Sequence, residues 1–521
     1  MAIEFSDCSA ARTDNSFDAN TLIPQRTETL TAFIGRATRG PLNDPVIVTS
    51  FDGFRRIFGN HGPLGFLSHA VQQYFQHGGQ IAAIVRIANN ATRARIDLPA
   101  QGQLLRLHSC APGSQIVLRA SVDYDGYPRP DDNRFNLVVQ RLARPGSQLV
   151  EDQELFRGLS MDESDERFVV DVLRASELVQ LGGPLPDHRP DATRAEHPGQ
   201  PLPYVDMGWP GGDGEELSDY DIVGSNDERT GIFALDDLEH VDLVNIPLLA
   251  SGHDHGVTTF LAAERYCARR RATLIWDPPW AWNSVDTTLI GVRNAGLASP
   301  HAMSYFPRVC ALANPERYPS GMPAGGAVAG LMAANDRSER WQDLDAGHGR
   351  LKSGLAPVVT ISARQAAMLQ RNGINVFTSR PPHTGVLTGN VSLVGANAVA
   401  RLCQRLDRRR LLSHVLKSLE QHTRWALKTH WSREFEQRLI GQIDTFLRGL
   451  FERGAFPVAR VEQAYFAKLQ AAIQGHEREL VVRIGIALER PGEFQVYDIV
   501  HRAERSMARP APVLEATQLA G

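Results

Sequence analysis

Cysteine is scarce in this chain of 521 residues: Cys8, Cys110, Cys267, Cys310 and Cys403 are odd in number, and no two are near one another. That spacing excludes CxxC metal knuckles and a disulfide framework, and it implies a reducing compartment. Charge of one sign is not in surplus either, with 55 Lys+Arg against 59 Asp+Glu and a net charge of −4. Coating of nucleic acid needs a basic excess to neutralise phosphates, so that class of function is not expected. Apolar runs of about 18 residues are missing, and the opening MAIEFSDCSAARTDNSFDAN has neither a basic nor an apolar region. Neither a membrane span nor a signal peptide is therefore expected. At roughly 150 residues per domain the length predicts about three to four domains.

The regular elements begin near residue 30. LTAFIGR (30–36) reads as a strand, and Ser50 stands at an N-cap position before Phe51, Phe54, Ile57 and Phe58, with Gly59 placed to end that helix. A second helix over Leu67–Phe75 stops at Gly78-Gly79, and IAAIVRIA (81–88) follows as a buried strand. From 90 to about 200, short alternating runs such as RFNLVVQRL are cut by Pro, Gly and Asp, the pattern of a β-rich insertion. From 238 to 380, VDLVNIPLLA and ATLIWDPP are strand-length runs flanking a helix with Phe260, Leu261 and Tyr266, an alternation that favours a doubly wound sheet. Ser432 opens the clearest helix, carrying Phe435, Leu439, Ile443, Phe446, Leu447, Leu450 and Phe451 up to Gly454. LVVRIGIAL (480–488) and EFQVYDIV (493–500) then predict a hairpin joined by ERPG. The expected class is α/β (α+β) and multidomain: an α/β core with a mixed sheet flanked by helices, a β-rich insertion, and extended polar or Pro/Ala-rich arms at both ends. The expected segments are 1–29 (arm), 30–89, 90–237 (insertion), 238–384, 385–502 and 503–521 (arm).

Catalytic signatures are few. His253 and His255 flank Asp254 in SGHDHG after an expected strand, where α/β enzymes place ligands, but HxH alone lacks a third ligand and a polar loop is the plainer reading. GMPAGGAVAG (321–330) fits neither GxGxxG nor GxxxxGK[ST] and reads as a close-packed backbone turn. WDPPW puts Asp277 at a strand end, without a GxSxG elbow or a Cys/His pair to accompany it; Trp276, Trp280 and Trp282 read as packing residues. An α/β metal-dependent hydrolase using the 250–282 loops is the runner-up function. Charge placement is more informative. Residues 201–240 hold eleven acids against one base, and 401–440 hold ten bases against four acids. A one-sided excess of this kind suits either a solvated helix face or docking on an acidic surface.

The order of segments resembles the contractile tail sheath family of bacteriophages, R-type tailocins and related injection systems. TAFIGRATRGPLNDPVIVTSFDGFRRIFG (31–59), then VDLVNIPLL, YCARRRATLIWDPP, SYFPRV and MPAGGAVAGLMAANDRSERW (241–341), then GINVF, LDRRRLLSHVLKSLEQHTRWAL, FLRGLFERGAF and PGEFQVYDI follow the family's order. The chain departs from the family after GINVF, where LTGNVSLVGANA replaces a common tryptophan and Arg-Thr pair. The resemblance implies a structural subunit and no enzyme, without cofactor or metal. It would polymerise with itself as a six-fold helical tube around an inner tail tube protein, assembled in a bacterial cytoplasm. Baseplate and terminator or cap proteins would be further partners, with no nucleic acid and no direct membrane insertion. The terminal arms would join neighbours as added strands, with the 480–500 hairpin offering the edge. By the same resemblance the basic block faces the tube, and Arg408, Arg409, Arg410, Lys417, Arg424 and Lys428 are the expected contact residues.

Overall fold

In the computed structural model, which describes residues 22–24, 28–62, 64–127, 129, 133–193, 203–337, 349–352, 354–380, 383–394, 405–428, 432–474, 477–502 and 506–511, the strand β1 (Leu30–Gly35) is buried at every position. It has parallel neighbours on both sides, which is why its sequence is almost continuously apolar and does not alternate. After β1 come a short strand, β2 (Val46–Val48), then α1 (Phe51–Phe58), α2 (Leu67–Gln76) and β3 (Ile81–Arg86). Ser50 Oγ accepts from Gly53 N at 3.0 Å and caps α1, whose far end is closed by Gly59 at φ +89°. Sequence reading misses β2, which pairs antiparallel with β3 at the sheet edge and is too short to show a period.

The insertion follows as β4 (Arg93–Ala100), β5 (Gln103–Pro112), β6 (Val117–Asp123), β7 (Arg134–Leu142), β8 (Val150–Ser160), α3 (Val169–Leu173), β9 (Val179–Leu181) and β10 (Val205–Asp206). These strands make two antiparallel sheets, β4-β5-β9 and β10-β6-β7-β8, over one core that includes Leu98, Leu107, Phe135, Leu137 and Val139. The junction with the α/β core is tight. Arg86, fully buried, donates through Nη1 to Gly40 O and Pro112 O, both at 2.6 Å, and Glu215 N donates to Asn89 O at 2.8 Å where the chain returns. A side chain at Gly113 would sit 2.2 Å from Thr38 O, and one at Gly214 2.0 Å from Asn89 O. Both glycines have positive φ, so backbone runs against backbone at this neck.

The chain then returns to the core through α4 (Asp219–Val223), a 3-10 turn at Gly231–Asp237, β11 (Leu243–Asn245), α5 (Val257–Arg270), β12 (Thr273–Ile275), α6 (Val285–Ala295) and β13 (Ala302–Phe306). Next come β14 (Val309–Ala311), α7 (Gly325–Arg337), β15 (Leu355–Pro357), α8 (Ala363–Arg371), β16 (Ile374–Arg380) and β17 (His383–Thr388). The core sheet has eight strands in the order β17-β16-β13-β12-β11-β1-β3-β2, parallel in the middle and antiparallel at both edges. Successive crossovers from β11 to β12, β13 and β16 move in one direction, so right-handed connections place α5, α6 and α8 on one face. Their buried side chains Phe260, Tyr266, Val285, Leu289 and Leu369 share a core with the strands. Leu261, next to buried Phe260 on α5, is 48% exposed.

Two compact units result: the one just described, Thr29–Ala334 with Gly349–Ala396, and a second built around Asn397–Gly521. The second contains α9 (Leu406–His422), a 3-10 turn at Arg424–Lys428, α10 (Arg433–Glu452), β18 (Tyr465–Gln474), β19 (Glu477–Ala487), β20 (Phe494–His501) and β21 (Ser506–Pro510). Ser432 Oγ accepts from Phe435 N at 3.0 Å and starts α10, and Gly454 at φ +74° follows its end. Phe435, Leu439, Ile443, Phe446, Leu447 and Leu450 are buried, each burial contributing roughly 1.5–3 kcal/mol relative to exposure. Ile23, in the expected N-terminal arm, is buried in this same core. Residues 1–21, and most of the 503–521 arm, lie outside the described residues.

Candidate functional site

The 250–282 loops, named for the runner-up hydrolase, make most of their polar contacts within the fold. His255 is buried, and its Nε2 donates toward Ile246 O and Pro247 O at 3.1 and 3.2 Å; burial lowers its pKa and keeps the ring neutral. Asp254 accepts from Trp280 N at 2.5 Å, while His253 is exposed, 3.8 Å from Glu216 Oε2. The three side chains serve three different partners. No group of three or more metal-ligating side chains occurs among the described residues.

Asp277, wholly buried at the end of β12, accepts from Gly325 N at 2.9 Å and Asn245 Nδ2 at 3.2 Å. Burial pushes its carboxyl up to about 6. This contact seats the first turn of α7 on the strand ends, where an α/β enzyme would have an open crevice. GMPAGGAVAG is accordingly not a turn, because its second half is the opening of a helix. A side chain at Gly326 would lie 2.0 Å from Ala70 O and one at Gly330 2.3 Å from Tyr74 O. Glycines four apart share a helix face, and here they let α7 touch the backbone of α2. Trp276 and Trp282 are buried, and the Arg308 guanidinium lies 4.2 Å over the Trp280 ring.

The six expected contact residues fall on α9 and the turn after it, and they divide. Consecutive helical residues project about 100° apart, so three successive arginines cannot share one surface. Arg410 is buried and paired with Asp336, and Arg408, 12% exposed, donates to Ala455 O at 3.3 Å. Both are thereby removed from the expected contact set, because their partners lie inside this unit. Sequence reading had no signal for the Asp336 partner, 74 positions away. Arg409 and Lys417 are half-buried on α9, Arg424 is exposed, and the side chain of Lys428 lies outside the described residues.

The C-terminal hairpin also differs from its expectation. β19 and β20 are the inner strands of a four-stranded antiparallel sheet, β18-β19-β20-β21, so neither offers an edge. β18 begins only thirteen residues after the long helix ends and its alternation is weak, while β21 comes from the expected C-terminal arm. Across the inner pair, Arg483 grips Asp498 through two bonds of 2.7 and 3.0 Å, both side chains being nearly buried. At the last turn, His501 Nδ1 lies 2.8 Å from Ser506 Oγ and Nε2 2.8 Å from Thr423 Oγ1. Glu420 accepts from Ala508 N and ties β21 to α9.

No family model and no curated protein matches the chain. Solved structures do. The sheath tail protein Lin1278 from Listeria innocua superposes with a TM-score of 0.60 at 10% identity, over 92% of this chain and 96% of that one. The chain has the tail sheath fold. The sheath tail protein DSY3957 from Desulfitobacterium hafniense gives 0.56 at 11% identity over 96% and 100% of the two chains. The sheath of an extracellular contractile injection system, PVC, in its contracted state gives 0.51 at 13% identity over 99% and 100%. Likeness to the tail sheath fold thus runs the length of the chain, through the α/β core and the C-terminal sheet alike. The blocks that resemble the sheath family fall on its regular elements: β1 to α1, β11 to α7, β16, α9, the end of α10, and β20.

Proposed function

We propose that the protein is the repeating subunit of a contractile sheath, polymerising around an inner tube and shortening to drive that tube through a target envelope. The supporting observation is the sheath tail fold over 92% of this chain and 96% of its match. Plugging of the α/β crevice by α7 fits a structural role, in which the work of contraction is binding free energy between subunits. Contacts made head to tail between copies propagate into a helix, and six-fold tubes are the expected form. Arm exchange by strand addition is part of this reading. The outer edges of β18 and β21 replace the 480–500 hairpin as its acceptors, and 1–21 is the donor segment. The inner tube protein is expected against the α9 side through Arg409, Lys417 and Arg424, with baseplate and cap proteins at the ends. Assembly would take place in a bacterial cytoplasm.

Electron microscopy of the purified full chain, alone and with its cognate tube protein, tests the proposal. Hollow helical tubes of uniform diameter are the expected result. A protein that stays monomeric at high concentration with and without the tube protein would refute it.

A further inference from the structure

The outer surface of the helical layer on the core sheet carries large apolar side chains that the fold leaves uncovered. Tyr220 on α4 is 80% exposed, and beside it on α5 Val257 and Leu261 are 56% and 48% exposed. Their grouping is fixed: Asp219 accepts from Gly256 N at 2.9 Å and Thr259 Oγ1 at 2.8 Å, which seats α4 on the first turn of α5. Val257 and Leu261 are one helical turn apart and share a face. The exposed acids Glu215 and Glu216 lie just ahead of Tyr220 in the chain, with Glu216 Oε2 3.8 Å from His253 at the approach to α5, so the rim is acidic at the Tyr220 and Val257 end, while Arg265, one turn past Leu261, stands at the far end.

A second patch lies on the neighbouring helices α6 and α8. Ile290 is 58% and Met368 42% exposed. Arg293 stands three positions after Ile290, and Arg364 and Arg371 lie four before and three after Met368, so each cation shares the apolar residue's helix face. All three arginines are exposed and make no ion pair among the described residues. Asp286, at the first turn of α6, is the acid on that face.

We infer that these two patches are a complementary pair, and that the acidic-rimmed patch of one subunit docks on the basic-rimmed patch of a second copy. The inference rests on the sheath-subunit reading and names the surface that the polymer uses. Apolar centres with charged rims are the composition of protein interfaces, and exposed tyrosine and arginine are common energetic anchors. Opposite charge on two different surfaces of one chain makes the contact heterologous, which extends instead of closing. Like surfaces would meet acid to acid or base to base, so the rims also disfavour the closed two-fold pair.

Charge reversal on each side tests it. Arg293→Glu/Arg364→Glu/Arg371→Glu, and separately Glu215→Lys/Glu216→Lys, should each raise the concentration needed for assembly at least about tenfold in sedimentation, the effect of about 1.4 kcal/mol per contact. A one-to-one mixture of the two variants restores every contact, in alternation, and should assemble at near the wild-type concentration. Circular dichroism and the melting temperature of each monomer should stay at wild-type values, and the restoring mixture is a second check that both fold. Wild-type polymers with unaffected variants would overturn this surface and leave the sheath reading standing. Variants that fail alone and also fail when mixed would overturn the pairing. A wild-type chain that never polymerises would overturn the sheath reading itself.

Discussion

His69 and Asp277 are buried titratable groups whose effects on stability run in opposite directions with pH. His69 stacks on His61 with ring centroids 4.2 Å apart and meets Tyr318 edge-on at 5.1 Å. Burial, with His61 and Arg317 nearby, lowers its pKa to about 3. The folded state therefore binds fewer protons than the unfolded chain below about pH 6.5, and stability falls as the solution is acidified from there towards pH 3. His69→Phe keeps an aromatic ring in the cluster and removes that loss, which amounts to ~3 kcal/mol at pH 4.5. Thermal melts at pH 8 and 4.5 should show the variant gaining on the wild type only at the lower pH. Asp277 behaves in reverse. Its folded pKa of about 6 lies above the ordinary carboxyl value, so its contribution to stability is present in acid and is lost as pH rises through about 6. Asp277→Asn retains an acceptor for Gly325 N and should flatten the decline between pH 4 and 6, read from the same melts. Neither group was legible beforehand as a buried ionisable side chain. Burial comes from tertiary neighbours: His69 sits in an ordinary helical pattern, and Asp277 looked like a catalytic candidate because strand-end acids often are.

Helices with strong local signals were readable from sequence, whereas elements defined by their partners were not. Ser50, Ser432, Gly59 and Gly454 marked helix ends because capping depends on a few adjacent residues. The α7 opening was misread since two glycines close together usually signal a turn, and only the backbone of α2 explains them. That contact makes a sharp prediction. Gly326→Ala puts a methyl group where Ala70 O already lies at 2.0 Å, so the helices must separate. A loss of at least ~2 kcal/mol is expected in chemical denaturation, against a small gain for alanine in an unobstructed helix. Edge strands β2 and β21 were missed for the same reason: a strand of three or five residues has too little period to see. For β21 the consequence reaches the arms. Removing 506–521 takes a strand from the sheet, together with the bond from Ala508 N to Glu420 and that between Ser506 and His501, and bares the β20 edge, so the monomer's melting temperature should fall. Removing 1–21, which spares the buried Ile23, should leave that temperature unchanged and impair only assembly.

At the scale of the whole molecule, sequence order carried the architecture. Strand and helix runs on both sides of residues 90–200 belong to one eight-stranded sheet, and the β-rich pattern between them folds on its own core. Which surfaces meet a partner was much less readable, because exposure depends on the rotation of each helix: Arg410, an expected contact residue, turned inward, and Leu261 beside buried Phe260 turned outward. The insertion gives a direct test of how separable function is. Its two ends meet at the bridge between Asn89 and Glu215, so a link of a few glycine and serine residues can replace 91–213 without stretching the core. Two buried arginines lose a partner with it: Arg39, which pairs with Glu151 at 2.7 Å, still donates to the carbonyls of Arg55 and Arg56, and Arg86 must change. Arg86 donates to Pro112 O inside the insertion and is fully buried, so its guanidinium would lose a partner in the shortened chain. Burial of an unsatisfied charge costs several kcal/mol, whereas methionine fills similar space without that cost. Deletion with Arg86→Met is therefore expected to give a folded core, and deletion with Arg86 retained a markedly less stable one, compared by thermal melts. If the insertion is peripheral to polymerisation, as its separate core suggests, the deletion that carries Arg86→Met should still form tubes of reduced outer diameter in electron micrographs. Loss of assembly in a chain that melts normally would instead place a subunit contact within 91–213.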